Sequence, residues 1–217
     1  MQSRLVETNQ SGIHQDLSAL VQKHAQSTYQ RPIPDFSRAA FEEFDRSFGL
    51  SGKKQIIMDS CCGTGESTAF LAASNPEVFV VGVDRSAHRL QKHHRKTGEN
   101  YAILRADVED FWRLLAEKYE QCVILHTIYY PNPCPKARHI MRRWHGHPLF
   151  STMLRLANMT ELRTNWRLYA DEWAFAASLL GYTPEMEIIH VAEPITAFER
   201  KYAASGHELI RVVIHRW

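Results

Sequence analysis

From residue 55 onward, apolar runs of strand length alternate with stretches of helical pattern, and this alternation restricts the chain more than any other feature. Residues 55–59 form a short apolar run, followed by a glycine-bearing turn and a helical pattern over 66–75 that Pro76 closes. Val78-Phe79-Val80-Val81-Gly82-Val83 is almost continuously apolar, the pattern of a parallel strand covered on both faces. A helix over 87–96, a strand over 101–106, a helix over 108–119 and a strand over 122–127 follow. The β-α-β-α-β-α-β order predicts an α/β fold, a Rossmann-like doubly wound sheet. Further on, a helix over 166–180 stops at Gly181, and residues 185–191 and 208–214 are strand candidates.

The first fifty residues have a different pattern. Leu17, Leu20, Val21 and His24 share one helical face, and Gln30-Arg31-Pro32-Ile33-Pro34 interrupts it. A second helix is expected to carry Phe41, Phe44 and Phe48 on one side, with Gly49 as its stop. The expected organisation is a helical extension over 1–50 and an α/β domain over 51–217. With 44% hydrophobic and 23% charged residues, the chain is neither disordered nor fibrous in composition. It has no membrane-length apolar run, and the first residues carry no signal-like apolar core. The adjacent Cys61 and Cys62 show no metal-type spacing and suit a reducing compartment. The expectation is a soluble cytoplasmic protein with no metal.

The first strand ends in Asp59-Ser60-Cys61-Cys62-Gly63-Thr64-Gly65-Glu66, where glycines let a ligand approach the backbone closely. About twenty residues after Gly65 the second strand ends in Asp84, placed to accept the hydroxyl hydrogens of a ribose. Asp107 closes the third strand, where an acid can meet an adenine amino group. Thr68 stands where a dinucleotide fold carries its third glycine, and Asp59 closes the first strand, so the pattern fits S-adenosyl-L-methionine better than NAD. The expected cofactor residues are Asp59, Gly63, Gly65, Asp84 and Asp107.

Between Gln121 and Thr160 there is no acidic residue, although the chain holds 24 of them. Lys136, Arg138, Arg142, Arg143 and Arg155 lie in that stretch and suit a polyanionic partner. It begins with Tyr129-Tyr130-Pro131-Asn132-Pro133-Cys134-Pro135-Lys136, in which three prolines stiffen a rim after the fourth strand. His145 and His147 are expected to be solvated or to face phosphate, and Trp112, Trp144 and Trp173 to be packing residues. The basic run Lys92-His93-His94-Arg95-Lys96 is expected on a solvated helix face.

These motifs, in this order, resemble those of the bacterial tRNA (guanine-N7)-methyltransferases. The resemblance rests on the glycine turn, on Tyr130-Pro131-Asn132-Pro133-Cys134-Pro135-Lys136 with Arg138-His139 and Arg142-Arg143, and on Thr164-Asn165-Trp166 with Thr196-Ala197-Phe198-Glu199. It spans roughly residues 14–217 and implies a class I S-adenosylmethionine-dependent methyltransferase acting on tRNA, most simply forming 7-methylguanosine in the variable loop. It further implies that Asn132 occupies the catalytic position, that Lys136, Arg138, Asn165, Thr196 and Glu199 meet the substrate, and that Trp166 is part of a working motif. The family usually has aspartates where this chain has Asn132 and Asn165, and a tryptophan at Cys134.

Guanine N7 already bears a lone pair, so such a reaction needs alignment more than a base. A carboxylate can accept both Watson–Crick donors of guanine, whereas an amide accepts with one atom only. Two alternatives follow from the asparagines. Asn132-Pro133 is similar to the start of an amino-methyltransferase motif, and Asn is a natural reader of adenine. A catalytically weak RNA-binding homologue would keep the fold and the basic loop.

Overall fold

A computed structural model of the chain describes residues 3–93 and 99–216. His94, Arg95 and Lys96, the far end of the expected 87–96 helix, lie outside the described residues. In chain order the helices are α1 (Leu17–Ala25), α2 (Asp35–Ser51), α3 (Glu66–Ser74), α4 (Ala87–Leu90), α5 (Val108–Tyr119), α6 (Phe150–Arg155), α7 (Arg167–Leu179) and α8 (Ala197–Ala204). The strands are β1 (Ile56–Ser60), β2 (Phe79–Asp84), β3 (Tyr101–Arg105), β4 (Val123–Tyr129), β5 (Met159–Thr164), β6 (Glu185–Ile188) and β7 (Ile210–His215). No helix among the described residues is long and apolar enough to cross a membrane.

The contacts divide the chain into two units, of which one comprises Arg31–Tyr129 and Leu156–Asn158. Its strands run parallel in the order β3-β2-β1-β4. Asp59 bonds to Ser67 and Thr68 of α3, and its neighbour Ser60 accepts from Trp112 of α5. Successive strand residues point to opposite faces, so α3 and α5 cover opposite faces of the sheet. The order reverses beside β1, which makes the carboxyl end of β1 the switch point where such sheets open a crevice. Under α2, Phe41, Phe44 and Phe48 form an aromatic cluster with Phe79, Phe111 and Tyr119. The helix does not stop at Gly49. It ends at Gly52, where φ is +70°, because a glycine terminates a helix only where the backbone turns left-handed. Helix α4 is also shorter than expected. Beyond Leu90 the backbone bonds Lys92 N–H to Arg89 O and His93 N–H to Leu90 O, so the helix tightens into turns.

The other unit comprises the described residues up to Gln30, Tyr130–Arg155, and those from Met159 onward. Its strands are antiparallel in the order β5-β7-β6. Helix α7 buries Tyr169, Trp173, Ala176 and Ala177 and packs against α1, which buries Leu17 and Val21. Strand β5 and helices α6 and α8 were not expected from the sequence; in β5, Thr160, Glu161, Arg163 and Thr164 leave no apolar run.

Candidate functional site

The cofactor acids gather at the carboxyl ends of the parallel strands in the first unit. After β1 the chain turns through Cys61, Gly63 and Gly65, at φ of +59°, +61° and +80°. A side chain at Gly65 would lie 2.2 Å from Ile103 Cδ1, whereas a Cβ at Gly63 would meet nothing closer than Cys61 O at 4.0 Å. Gly65 is therefore needed for packing, and Gly63 lies bare toward an approaching ligand. Gly63 N–H and Ser86 N–H donate to Asp84 at 3.0 and 2.7 Å, and Arg89 lies 3.2 Å away. Those bonds hold the buried Asp84 carboxylate aimed beside the turn. Asp59 is buried and accepts from Thr68, Ser67 and Thr127. Burial pushes its carboxyl up, against those hydrogen bonds. Asp59 therefore ties α3 to the sheet and fixes the turn from below.

Asp107 pairs with Arg31 through Oδ2. Its buried Oδ1 makes no hydrogen bond, although Arg85 Nε lies 3.1 Å away. An amino group of a bound adenine would satisfy that orphaned acceptor. The bare Gly63 backbone, the oriented Asp84 and the Asp107 Oδ1 that lacks a hydrogen bond together fit S-adenosylmethionine. Burial pushes the Cys61 thiol up to about 12 and raises Cys62 as well, which disfavours the nucleophilic thiolate at both. Arg31 went unnoticed in the sequence, where it sits in a segment that looked like a helix interruption.

The expected substrate residues all lie in the second unit. Asn132, Lys136 and Arg138 are exposed on the proline loop. Asn132 Oδ1 accepts from Cys134 N–H at 3.1 Å and so closes a small turn. Tyr130 and Cys134 stand at φ of +51° and +46°, a left-handed conformation at both ends of this segment. The surroundings hold it there. Tyr130 N–H donates to Arg163 O at 2.7 Å, and Arg143 Nε donates to Cys134 O at 3.3 Å. Thr8 hydroxyl donates to Pro135 O at 2.6 Å. Lys136 and Arg138 border a cleft with Glu7, Thr8, Asn9 and Pro135.

The structure brings the two distal motifs together. Thr196 caps α8 by accepting Glu199 N–H at 2.9 Å. Glu199 is sealed from solvent; its carboxylate accepts from Tyr130 hydroxyl and Arg163 at 2.9 Å each, and from Ile195 N–H at 2.8 Å. Burial, then Glu199, pushes the Tyr130 phenol well up, so it stays a donor. Asn165, half-buried after β5, meets His207 at 2.9 Å. Glu199 thus faces protein donors, while Asn165 stands at the edge of the group.

Two basic-loop expectations are corrected. Arg143 and His145 are fully buried and meet no solvent or phosphate. Both bond to Glu172 Oε2 of α7, at 2.5 and 2.9 Å, and Arg143 lies over the Trp166 ring at 4.9 Å. Gln10 and His14 N–H take Glu172 Oε1 at 2.5 and 2.9 Å. Burial would raise the Glu172 carboxyl, but the hydrogen bond from His145, the Arg143 charge and the hydrogen bond from Gln10 hold it at about 2. Burial lowers His145 against the pull of Glu172, so the ring stays neutral and donates through Nε2. A lone glutamate between Tyr169 and Trp173 on an apolar helix face was the available signal that a buried cation would be needed. Trp112 and Trp173 are packed as expected, and Trp144 is half-buried.

Residues 53–212 match the model of a family described as "Putative methyltransferase". The chain is 34% identical over 127 residues to a tRNA (guanine-N(7)-)-methyltransferase of Rubrobacter xylanophilus, covering 54% of this chain and 56% of that protein. It thus spans little more than half of that relative. It is 29% identical over 193 residues to a protein of the same name from Burkholderia ambifaria, covering 82% of this chain and 72% of the relative. Among solved structures, an antibiotic-related methyltransferase superposes with a TM-score of 0.60 at 14% identity, over 88% of this chain and 97% of the other. That likeness concerns the fold.

Proposed function

The chain belongs to this methyltransferase family, and from that premise we propose that it transfers a methyl group from S-adenosylmethionine to guanine N7 of a tRNA in the cytoplasm. The catalytic domain is proposed over 51–217, with 1–50 as its helical extension. Two observations support the reading: the S-adenosylmethionine cradle of the first unit and, within the second, the Thr164-Asn165-Trp166 and Thr196–Glu199 motifs that Tyr130 and Arg163 tie to each other.

The bound cofactor would supply an electrophilic methyl group on its sulfonium. Asp84 would accept the ribose hydroxyls, Asp107 Oδ1 the adenine amino group, and Gly63 would give the backbone room; Asp59 and Gly65 keep the turn in shape. On the RNA side, Lys136 and Arg138 would meet phosphates, and Asn165 would accept a hydrogen from the guanine edge. Asn132 would stand at the reacting base without a charge of its own. Thr196 and Glu199 would contribute to the substrate site through α8 and through the Tyr130 bond that shapes the loop. Positioning of N7 is then the main catalytic lever, since no proton has to be removed before attack.

Methyl transfer from labelled S-adenosylmethionine to unmodified tRNA, followed by nucleoside analysis, tests this directly. 7-Methylguanosine supports the reading. A methyl group on an exocyclic amine moves the chemistry to the amino-methyltransferase alternative, and binding without transfer leaves an RNA-binding protein.

A further inference from the structure

The resemblance puts Asn165 where the family usually has an aspartate, and its bond to His207 shows which way its amide points. His207 Nε2 lies 3.0 Å from Ser3 O, a carbonyl that can only accept. Nε2 therefore carries the ring proton. The other ring nitrogen, Nδ1, lies 2.9 Å from Asn165 Nδ2. Two donors do not pair, so Nδ1 presents a lone pair and Asn165 donates to it. The ring is nearly buried at 9% exposure, lies stacked at 5.3 Å on Tyr202, and cannot turn without losing both bonds. Tyr202 in turn packs on Tyr130, at the start of the proline loop.

We infer that His207 is a positioning residue that fixes the Asn165 amide with its nitrogen inward and its oxygen toward substrate, so that this position selects a base edge offering a hydrogen-bond donor. The inference rests on the guanine reading above. A neutral amide is ambiguous by itself, since a 180° flip exchanges acceptor for donor. Guanine offers N1–H and N2–H donors, and a flipped amide would face them with its own NH2 group. The His207 lone pair removes that ambiguity, and Ser3 O keeps the lone pair on Nδ1. This chain would thus obtain an outward acceptor without the fixed charge of an aspartate.

Two measurements on this chain test this. In 15N-labelled protein, the His207 ring should be the Nε2–H tautomer, with a scalar coupling across the hydrogen bond from Asn165 Nδ2 to Nδ1. An Nδ1–H tautomer, or no such coupling, overturns the inference. In methyl-transfer kinetics with tRNA, His207→Leu should lower kcat/KM by about tenfold, the worth of one hydrogen bond to the base, with the KM for S-adenosylmethionine unchanged. His207→Asn, which returns an acceptor to Asn165, should recover to within about threefold. In the Asn165→Ala background, His207→Leu should cost nothing further. Multiplying effects of the two changes, or no rescue by His207→Asn, would show that His207 acts on its own and overturn the inference. If the coupling is present but wild type forms no 7-methylguanosine, the guanine reading fails while the amide orientation holds.

Discussion

Glu172 offers the sharpest test of how the second unit is held together. Its carboxylate is fully buried and joins four donors: Gln10, the His14 N–H, Arg143 and His145. Its carboxyl lies at about 2, against 4.5 for an unburied glutamate. Each pH unit of that difference is worth about 1.4 kcal/mol, so the charged form contributes roughly 3 kcal/mol to folding at neutral pH. The folded value is the lower one, so the contribution is complete above about 4.5 and fades as pH falls toward 2. Glu172→Gln preserves shape and removes the charge, leaving Arg143 buried without a counterion. The expected loss at pH 7 is about 3 kcal/mol, in the range measured for broken buried pairs. In a chain of this size that is about 6–12 °C in Tm. Urea titrations at pH 7, 5, 4 and 3 should show the gap between wild type and Glu172→Gln narrowing at the acid end. His145 acts in the same direction: its lowered folded value means that acid favours the unfolded chain below about 6.5. A loss under 1 kcal/mol at pH 7, or a gap of constant size at every pH, would refute the account of a buried carboxylate neutralising Arg143.

Asp84→Asn should weaken S-adenosylmethionine binding about tenfold to a hundredfold in isothermal titration, because charged hydrogen bonds are worth about 1.5–3 kcal/mol; an unchanged Kd would remove Asp84 from the cofactor site. Replacing Lys136 and Arg138 together by alanine should reduce the salt slope of tRNA binding by nearly two phosphate contacts, whereas Arg143→Ala should lower Tm and leave the slope alone. Equal slopes for the double variant and wild type would place the RNA surface elsewhere. Asn132→Asp keeps the Oδ1 acceptor for Cys134 N–H and adds a charge, so 7-methylguanosine formation should rise by up to tenfold to a few hundredfold; a fall in rate would make the amide itself the working group. Asn165→Asp should gain less, since a carboxylate has no hydrogen to donate to His207 Nδ1 and would lose the bond that holds this side chain.

The α/β order, the glycine turn with Asp59, Asp84 and Asp107, and the stiff loop through Pro131, Pro133 and Pro135 could all be read from the chain alone. Each depends on local pattern: the period of apolar residues, a backbone that must turn left-handed, a ring that locks φ. Element ends were less legible: glycine was asked to act by its identity at Gly49 rather than by the conformation found at Gly52, and α4 and β6 stop at Leu90 and Ile188, short of their expected ends. Tertiary structure decided which charged side chains face outward. Lys136, Arg138, Arg142 and Arg143 are alike in a basic stretch, yet Arg143 alone among them is fully buried, because Glu172 and Gln10 arrive from distant parts of the chain to neutralise and bond it. The inward turn of Glu199 and the pairing of Asn165 with His207 were hidden for the same reason. The cost of burying a polar group depends on its partners, and those partners are set by the fold rather than by neighbours in sequence.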